Sequence, residues 1–224
     1  MIKAVIFDLD GVITDTAKYH YEAWKKIADE LGIPFNIEYN EKLKGVSRME
    51  SLCLILDNGP GRDSLTLEEK NELCERKNEI YKELIGSLKP SDILPGINEF
   101  ISELKKNNIL IGLASVSKNA PEILNRLELR DSFDYMADAS TVERSKPYPD
   151  VFIDNLINLG VSPSEAIGVE DAESGIEAIH RAGRKAVGIG NEKVLKDADI
   201  ILSTSKELSF SLLYSSLEST IWIN

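Results

Sequence analysis

Six short apolar runs limit what this chain can fold into: 2–7, 109–114, 134–138, 166–169, 186–190 and 199–202. Each has the length of a strand, and the first is rich in the β-branched residues of a strand covered on both faces. From the second run onward most are separated by helical patterns. That is a βαβ rhythm, which predicts a parallel sheet with helices on both faces and right-handed crossovers. Between about 14 and 88 the rhythm stops, and helical pattern without a convincing strand is inserted after the first run. The organisation read from this is an α/β core of residues 1–14 and 88–224, interrupted by an α-helical cap at 15–87.

The cap carries its own punctuation. Thr16 can cap a helix that runs to Leu31, with Gly32 in the position after the end and Pro34 beyond it. Ser47-Arg48-Met49-Glu50 and Thr66-Leu67-Glu68-Glu69 both have the spacing of a capping box, the second opening a helix to about Leu84. The connections to the core, Thr14 to Ala17 and Lys89 to Asp92, could act as a hinge. In the core, Pro95-Gly96 precedes a helix at 97–107, and Asn119-Ala120-Pro121-Glu122 reads as a helix start. The stretch from Ser203 to Ser219 reads as a helix with an apolar face at Leu208, Leu212, Leu213 and Leu217. Met49 and the turn Asn58-Gly59-Pro60-Gly61 suggest no function.

Composition narrows the partners. A formal net charge of −12 argues against nucleic acid or an anionic membrane, both of which bind through basic surface. Any anionic substrate therefore needs a local positive site. Cys53 and Cys74 are the only cysteines, without metal-ligand spacing, and read as free thiols in a reducing cytoplasm. The longest apolar runs are too short to span a bilayer.

Chemistry is expected where strands end, because open α/β sheets bind ligands beyond the carboxyl ends of their strands. The first run ends in Asp8-Leu9-Asp10-Gly11, two carboxylates that could share a cation or supply a nucleophile, or else begin a turn and cap a helix. The second ends in Ala114-Ser115-Val116-Ser117-Lys118-Asn119, a hydroxyl and several N–H groups suited to an anion or merely to a turn. Lys146-Pro147 supplies a compact positive charge in a polar loop. The fourth run ends in Glu170-Asp171, a second acidic pair suited to a hard, oxygen-liganded cation, although Asp171 could also cap the next helix.

In chain order these features resemble the pattern of the haloacid dehalogenase superfamily: D-x-D at Asp8 and Asp10, then Ser115, Lys146, and Glu170 with Asp171. The resemblance implies a Rossmann-like parallel core with an inserted helical cap, and one Mg²⁺ held by Asp8, the carbonyl of Asp10, Glu170 and Asp171. It further implies that Asp8 attacks phosphorus to give an aspartyl phosphate and that Asp10 is the general acid and base. Ser115, the neighbouring amides of Val116 and Ser117, and Lys146 would hold the phosphoryl oxygens. An Asp two positions after the nucleophile marks the phosphoryl-transfer members rather than the carbon-attacking dehalogenases.

The cap refines this. Leu43-Lys44-Gly45-Val46-Ser47-Arg48 puts a guanidinium, an ammonium and backbone N–H groups at a helix start, a site able to grip a second phosphate. With Thr16, His20, Trp24, Ser51 and Arg76-Lys77-Asn78, it is similar to the cap of the β-phosphoglucomutase family. That likeness implies interconversion of β-glucose 1-phosphate and glucose 6-phosphate, with β-glucose 1,6-bisphosphate as intermediate and activator. Arg48 would take the distal phosphate, while Lys44, Gly45, Val46, Ser51 and Asn119 would seat the sugar. His20 and Lys77 would hold Asp10 once the cap shuts, with Thr16 beside the hinge. Trp24 suits the cap core better than a sugar platform. A sugar-phosphate or phosphoglycolate-type phosphatase shares the four core motifs and stays open as the alternative. A mobile cap favours a monomer, and the expected setting is the cytoplasm, with small sugar phosphates as partners.

Overall fold

The computed structural model describes residues 2–213. It separates into two compact units, residues 1–15 with 89–224 and residues 16–88.

The first unit is built on six strands: β1 (Ala4–Phe7), β2 (Leu110–Leu113), β3 (Tyr135–Met136), β4 (Ala166–Glu170), β5 (Lys185–Ile189) and β6 (Ile200–Leu202). All neighbouring pairs are parallel, in the order β3-β2-β1-β4-β5-β6. This matches the Rossmann strand order, and β1 sits where the direction of winding reverses. Every residue of β1 is buried. Each of the six apolar runs of the sequence overlaps a strand, the third strand shrinking to two residues.

The helices of this unit are α5 (Ile97–Lys106), α6 (Ala120–Arg126), α7 (Asp150–Leu159) and α8 (Glu173–Arg181). The α7 and α8 side chains Phe152, Leu156, Ile176 and Ile179 pack with Ala4 and Ile6 of β1 in one cluster. On α5, Phe100 meets Phe7 edge to face, with ring centroids 5.8 Å apart.

The second unit holds α1 (Ala17–Glu30), α2 (Ile37–Asn40), α3 (Arg48–Asp57) and α4 (Leu67–Ile85). Trp24, Ile27, Phe35, Leu52, Ile55 and Leu73 belong to a core of its own. Its first connection is tied down on the core side. Thr14 pairs with Ile93 in an antiparallel bridge, and its Oγ1 donates to the Asp92 carbonyl at 2.7 Å.

Several end-of-helix expectations fail for local reasons. Thr16 makes no side-chain cap bond; its carbonyl accepts from Tyr19 and His20 instead. Ser47 accepts from the Glu50 N–H at 3.2 Å, while Thr66 and Glu69 complete the reciprocal box. Asn119 also makes no cap bond, its backbone at φ −94° and ψ 1° lying outside the extended geometry of a capping residue. Ala172, not Asp171, is the N-cap residue of α8. The tail is not one long helix: residues 205–207 form a 3₁₀ turn, Leu208 precedes the helical turn that starts at 210, and Leu217 lies outside the described residues.

Arg184 breaks the usual rule for charges. It is 5% exposed, and none of its three side-chain nitrogens has a hydrogen-bond partner among the described residues. Its guanidinium stacks over Phe152 at 5.0 Å, and burial lowers its pKa. A buried cation without an acceptor costs more than an apolar side chain of similar length. Arg184→Met is therefore expected to stabilise the fold by roughly 1–3 kcal/mol, visible as a rise of a few degrees in thermal unfolding. A fall in melting temperature would show that the guanidinium is stabilising where it lies.

Candidate active site

The parallel register places the chemistry. Phe7 is level with Leu113 of β2 and Val169 of β4. The next residues, Asp8, Ala114 and Glu170, thus leave three adjacent strands at the same height. Backbone bonds from Asp8 N–H to the Val169 carbonyl (2.9 Å) and from Ala114 N–H to the Phe7 carbonyl (2.7 Å) hold that alignment. Asn155 of α7, fully buried, reinforces it by donating to the Leu113 carbonyl at 3.0 Å.

At this end of the sheet Lys146 is 1% exposed. Its ammonium bonds the Asp8 carboxylate and donates to Glu170 Oε2 at 3.0 Å. The Lys146-Pro147 peptide is cis. Burial alone would push Lys146 down, but the carboxylates of Asp8 and Glu170 outweigh it and hold the ammonium above its ordinary range. Glu170 is shifted upward, first by burial and then by the charge of Asp8, with Lys146 offsetting part of this. Lys146, read from the sequence as a compact positive charge for an anion, is thus also the charge partner of Asp8.

Asp8, Glu170 and Asp171 each offer an oxygen, all within 4.8 Å of one another. One ammonium among three converging carboxylates leaves an excess of negative charge in a buried place. That donor set fits a hard dication. Two glycines make room for it. Gly11, at φ +76°, lies where a Cβ would come within 2.3 Å of Asp171 Oδ2. A Cβ on Gly175 of α8 would stand 2.0 Å from Glu170 Cδ. Gly175 went unnoticed in the sequence, although a glycine in the first turn of a helix five residues after an acidic strand end was an available signal.

Ser115 is buried and accepts the Ser117 N–H at 3.2 Å. The 115–119 loop is thereby folded by its own hydroxyls, with Ser117 Oγ serving Asn119. These bonds turn the segment from Ser115 to Asn119, Val116 included, away from extended strand geometry.

The helical unit has its own polar cluster. Gly45 takes φ +74°, Lys44 pairs with Glu41 at 3.2 Å, and Ser47 caps α3. Arg48, the first residue of α3, donates to Glu75 Oε1 at 3.1 Å and to Asn78 Oδ1 at 2.8 Å, both on α4. Ser51 is buried and donates to the Ser47 carbonyl at 3.0 Å. Lys77 Nζ lies 2.8 Å from His20 Nδ1. Burial first, then the charges of Lys77 and Arg48, hold His20 well below its ordinary pKa. Trp24 is 2% exposed in the unit's core, and Thr16 is fully buried. Glu75 and Tyr81 were not singled out in the sequence, where they look like ordinary α4 surface and core positions, and Asn78 entered only as part of Arg76-Lys77-Asn78.

A family model described as haloacid dehalogenase-like hydrolase matches residues 2–183. With an aspartate, a lysine and an acidic pair converging on one sheet end, the chain belongs to the haloacid dehalogenase-like hydrolase family. Within it, the chain is 49% identical over 217 residues to β-phosphoglucomutase from Bacillus subtilis, covering 97% of this chain and 96% of that protein. It also matches the crystal structure of β-phosphoglucomutase from Clostridium difficile with a TM-score of 0.96 and 46% identity, covering 98% of both chains. The phosphorylated carbohydrates phosphatase of Thermotoga maritima is 32% identical over 184 residues, covering 81% of this chain and 82% of that one. Among the described residues no helix is long and apolar enough to cross a membrane.

Proposed function

We propose that the chain is a β-phosphoglucomutase that interconverts β-D-glucose 1-phosphate and D-glucose 6-phosphate through an aspartyl phosphate on Asp8 and β-glucose 1,6-bisphosphate. The observation that carries this reading over a phosphatase is the extent of the likeness. It runs through the helical unit as well as the core, at 49% identity over 97% of the chain.

In the first half-reaction an Asp8 oxygen attacks phosphorus while the sugar oxygen leaves and takes a proton from Asp10. In the second, Asp10 removes the proton from the attacking sugar hydroxyl as the bond from phosphorus to Asp8 breaks. Asp8, Glu170, Asp171 and the Asp10 carbonyl would hold Mg²⁺, which when bound would supply charge neutralisation between carboxylate and phosphate. Lys146 orients the Asp8 carboxylate and, with Ser115 and the amides after it, binds the phosphoryl oxygens. Arg48, positioned by Asn78, takes the distal phosphate. His20 and Lys77 hold the Asp10 carboxylate, and Lys44, Gly45, Val46, Ser51 and Asn119 seat the sugar. The enzyme works as a cytoplasmic monomer.

A bisphosphate intermediate has a kinetic signature. With Mg²⁺ and β-glucose 1-phosphate alone, glucose 6-phosphate is expected to form after a lag, because unphosphorylated Asp8 must first be primed. Trace β-glucose 1,6-bisphosphate should abolish the lag. Phosphate release at one rate with or without the bisphosphate would instead indicate a phosphatase.

A further inference from the structure

Two helices of the cap-forming unit present matched pairs of residues one turn apart: His20 and Trp24 on α1, Lys77 and Tyr81 on α4. Residues four apart share a helix face, so the two pairs meet as a square. Lys77 is 3% exposed, Trp24 2%, and Tyr81 0%. The Lys77 ammonium lies 4.6 Å from the Tyr81 ring centroid and 5.1 Å from that of Trp24. Tyr81 also stacks on the His20 ring, centroid to centroid 4.1 Å and tilted by 37°. An ammonium has only protons to give, so across the 2.8 Å contact His20 Nδ1 accepts.

We propose that Tyr81 is a positioning residue: with Trp24 it cages the Lys77 ammonium, which donates to His20 Nδ1 and so fixes His20 as the tautomer protonated on Nε2. Two aromatic faces replace much of the water that a buried ammonium gives up. The same Tyr81 ring fixes the plane of the imidazole. The result is a single N–H pointing in a set direction, suited to donate to a carboxylate. The catalytic consequence, a correctly held Asp10, rests on the assignment of His20 made above. The tautomer does not.

The chain has two histidines, His20 and His180. Long-range proton–nitrogen spectra of the uniformly ¹⁵N-labelled enzyme at neutral pH will therefore show two imidazoles, and His180→Asn identifies the other as His20. The expected wild-type pattern is a protonated Nε2 and an unprotonated, hydrogen-bonded Nδ1. Lys77→Met and Tyr81→Leu should both move the two nitrogens toward the average of exchanging tautomers, whereas Tyr81→Phe should not. Tyr81→Leu should also lower kcat about tenfold or more while KM stays within about twofold, the signature of lost alignment rather than lost binding. Should Tyr81→Leu fail to fold, Tyr81→Met offers a flexible side chain of similar length without a ring. A proton on Nδ1 in the wild-type enzyme, or an unchanged tautomer after the ring is removed, would overturn the proposal. An intact tautomer lock in an enzyme that proves to be a phosphatase would sink only the assignment of the reaction.

Discussion

Asp8→Asn is expected to reduce turnover by at least about 10⁴-fold with every phosphate ester tested, and to leave no covalent phosphate detectable by intact-mass measurement. The amide matches the carboxylate in shape but cannot attack phosphorus. The fold should survive, because Asp8 contributes to β1 pairing through its backbone N–H, bonded to Val169. Cation-free stability should even rise. Lys146 then serves Glu170 with one fewer carboxylate competing, and the upward push that Asp8 exerts on Glu170 disappears. Residual activity near the wild-type level would remove the covalent mechanism altogether.

Arg48→Ala should separate transfer from hydrolysis. A charge-assisted pair of bonds to a phosphate is worth about 3 kcal/mol, or roughly a hundredfold. Mutase activity is therefore expected to fall by about 10²-fold, while hydrolysis of a small aryl phosphate, which has no second phosphate, stays within about twofold. Arg48→Lys should fall between the two, since an ammonium keeps the charge but loses the planar fork that Asn78 and Glu75 now engage. Equal loss of both activities would place Arg48 in folding or in chemistry rather than at a distal phosphate.

Much of the core was legible because strands buried on both faces betray themselves as continuous apolar runs. Asp8, Ser115 and Glu170 could be placed at strand ends for the same reason. That Asp8, Ala114 and Glu170 come level could not be read, since register depends on pairing across a hundred residues. Lys146 shows the limit clearly: the sequence offers it as a compact positive charge for a phosphoryl group, but only the fold shows that it lies between two buried carboxylates. Arg184 is the opposite case, a charge buried over the Phe152 ring where an apolar residue would be expected. Helix starts were the least faithful signal. Asn119 has the right side chain for a cap, but its backbone, at φ −94° and ψ 1°, is not in the extended geometry a capping residue takes. In the helical unit, His20 and Lys77 were found through likeness to a family, while Tyr81, which stacks on one and holds the other, carries no sequence mark that distinguishes it from an ordinary core tyrosine.

Because a phosphatase of this family would share Asp8, Ser115, Lys146 and the acidic pair, the decisive quantity is the fate of the phosphoryl group. The enzyme should be given β-glucose 1-phosphate and α-glucose 1-phosphate in separate reactions, with Mg²⁺ and trace bisphosphate, and the products quantified by phosphorus NMR. Glucose 6-phosphate accumulating from the β anomer, with little inorganic phosphate and little turnover of the α anomer, is the expected result. Inorganic phosphate released in step with sugar-phosphate consumption, from either anomer, would contradict it.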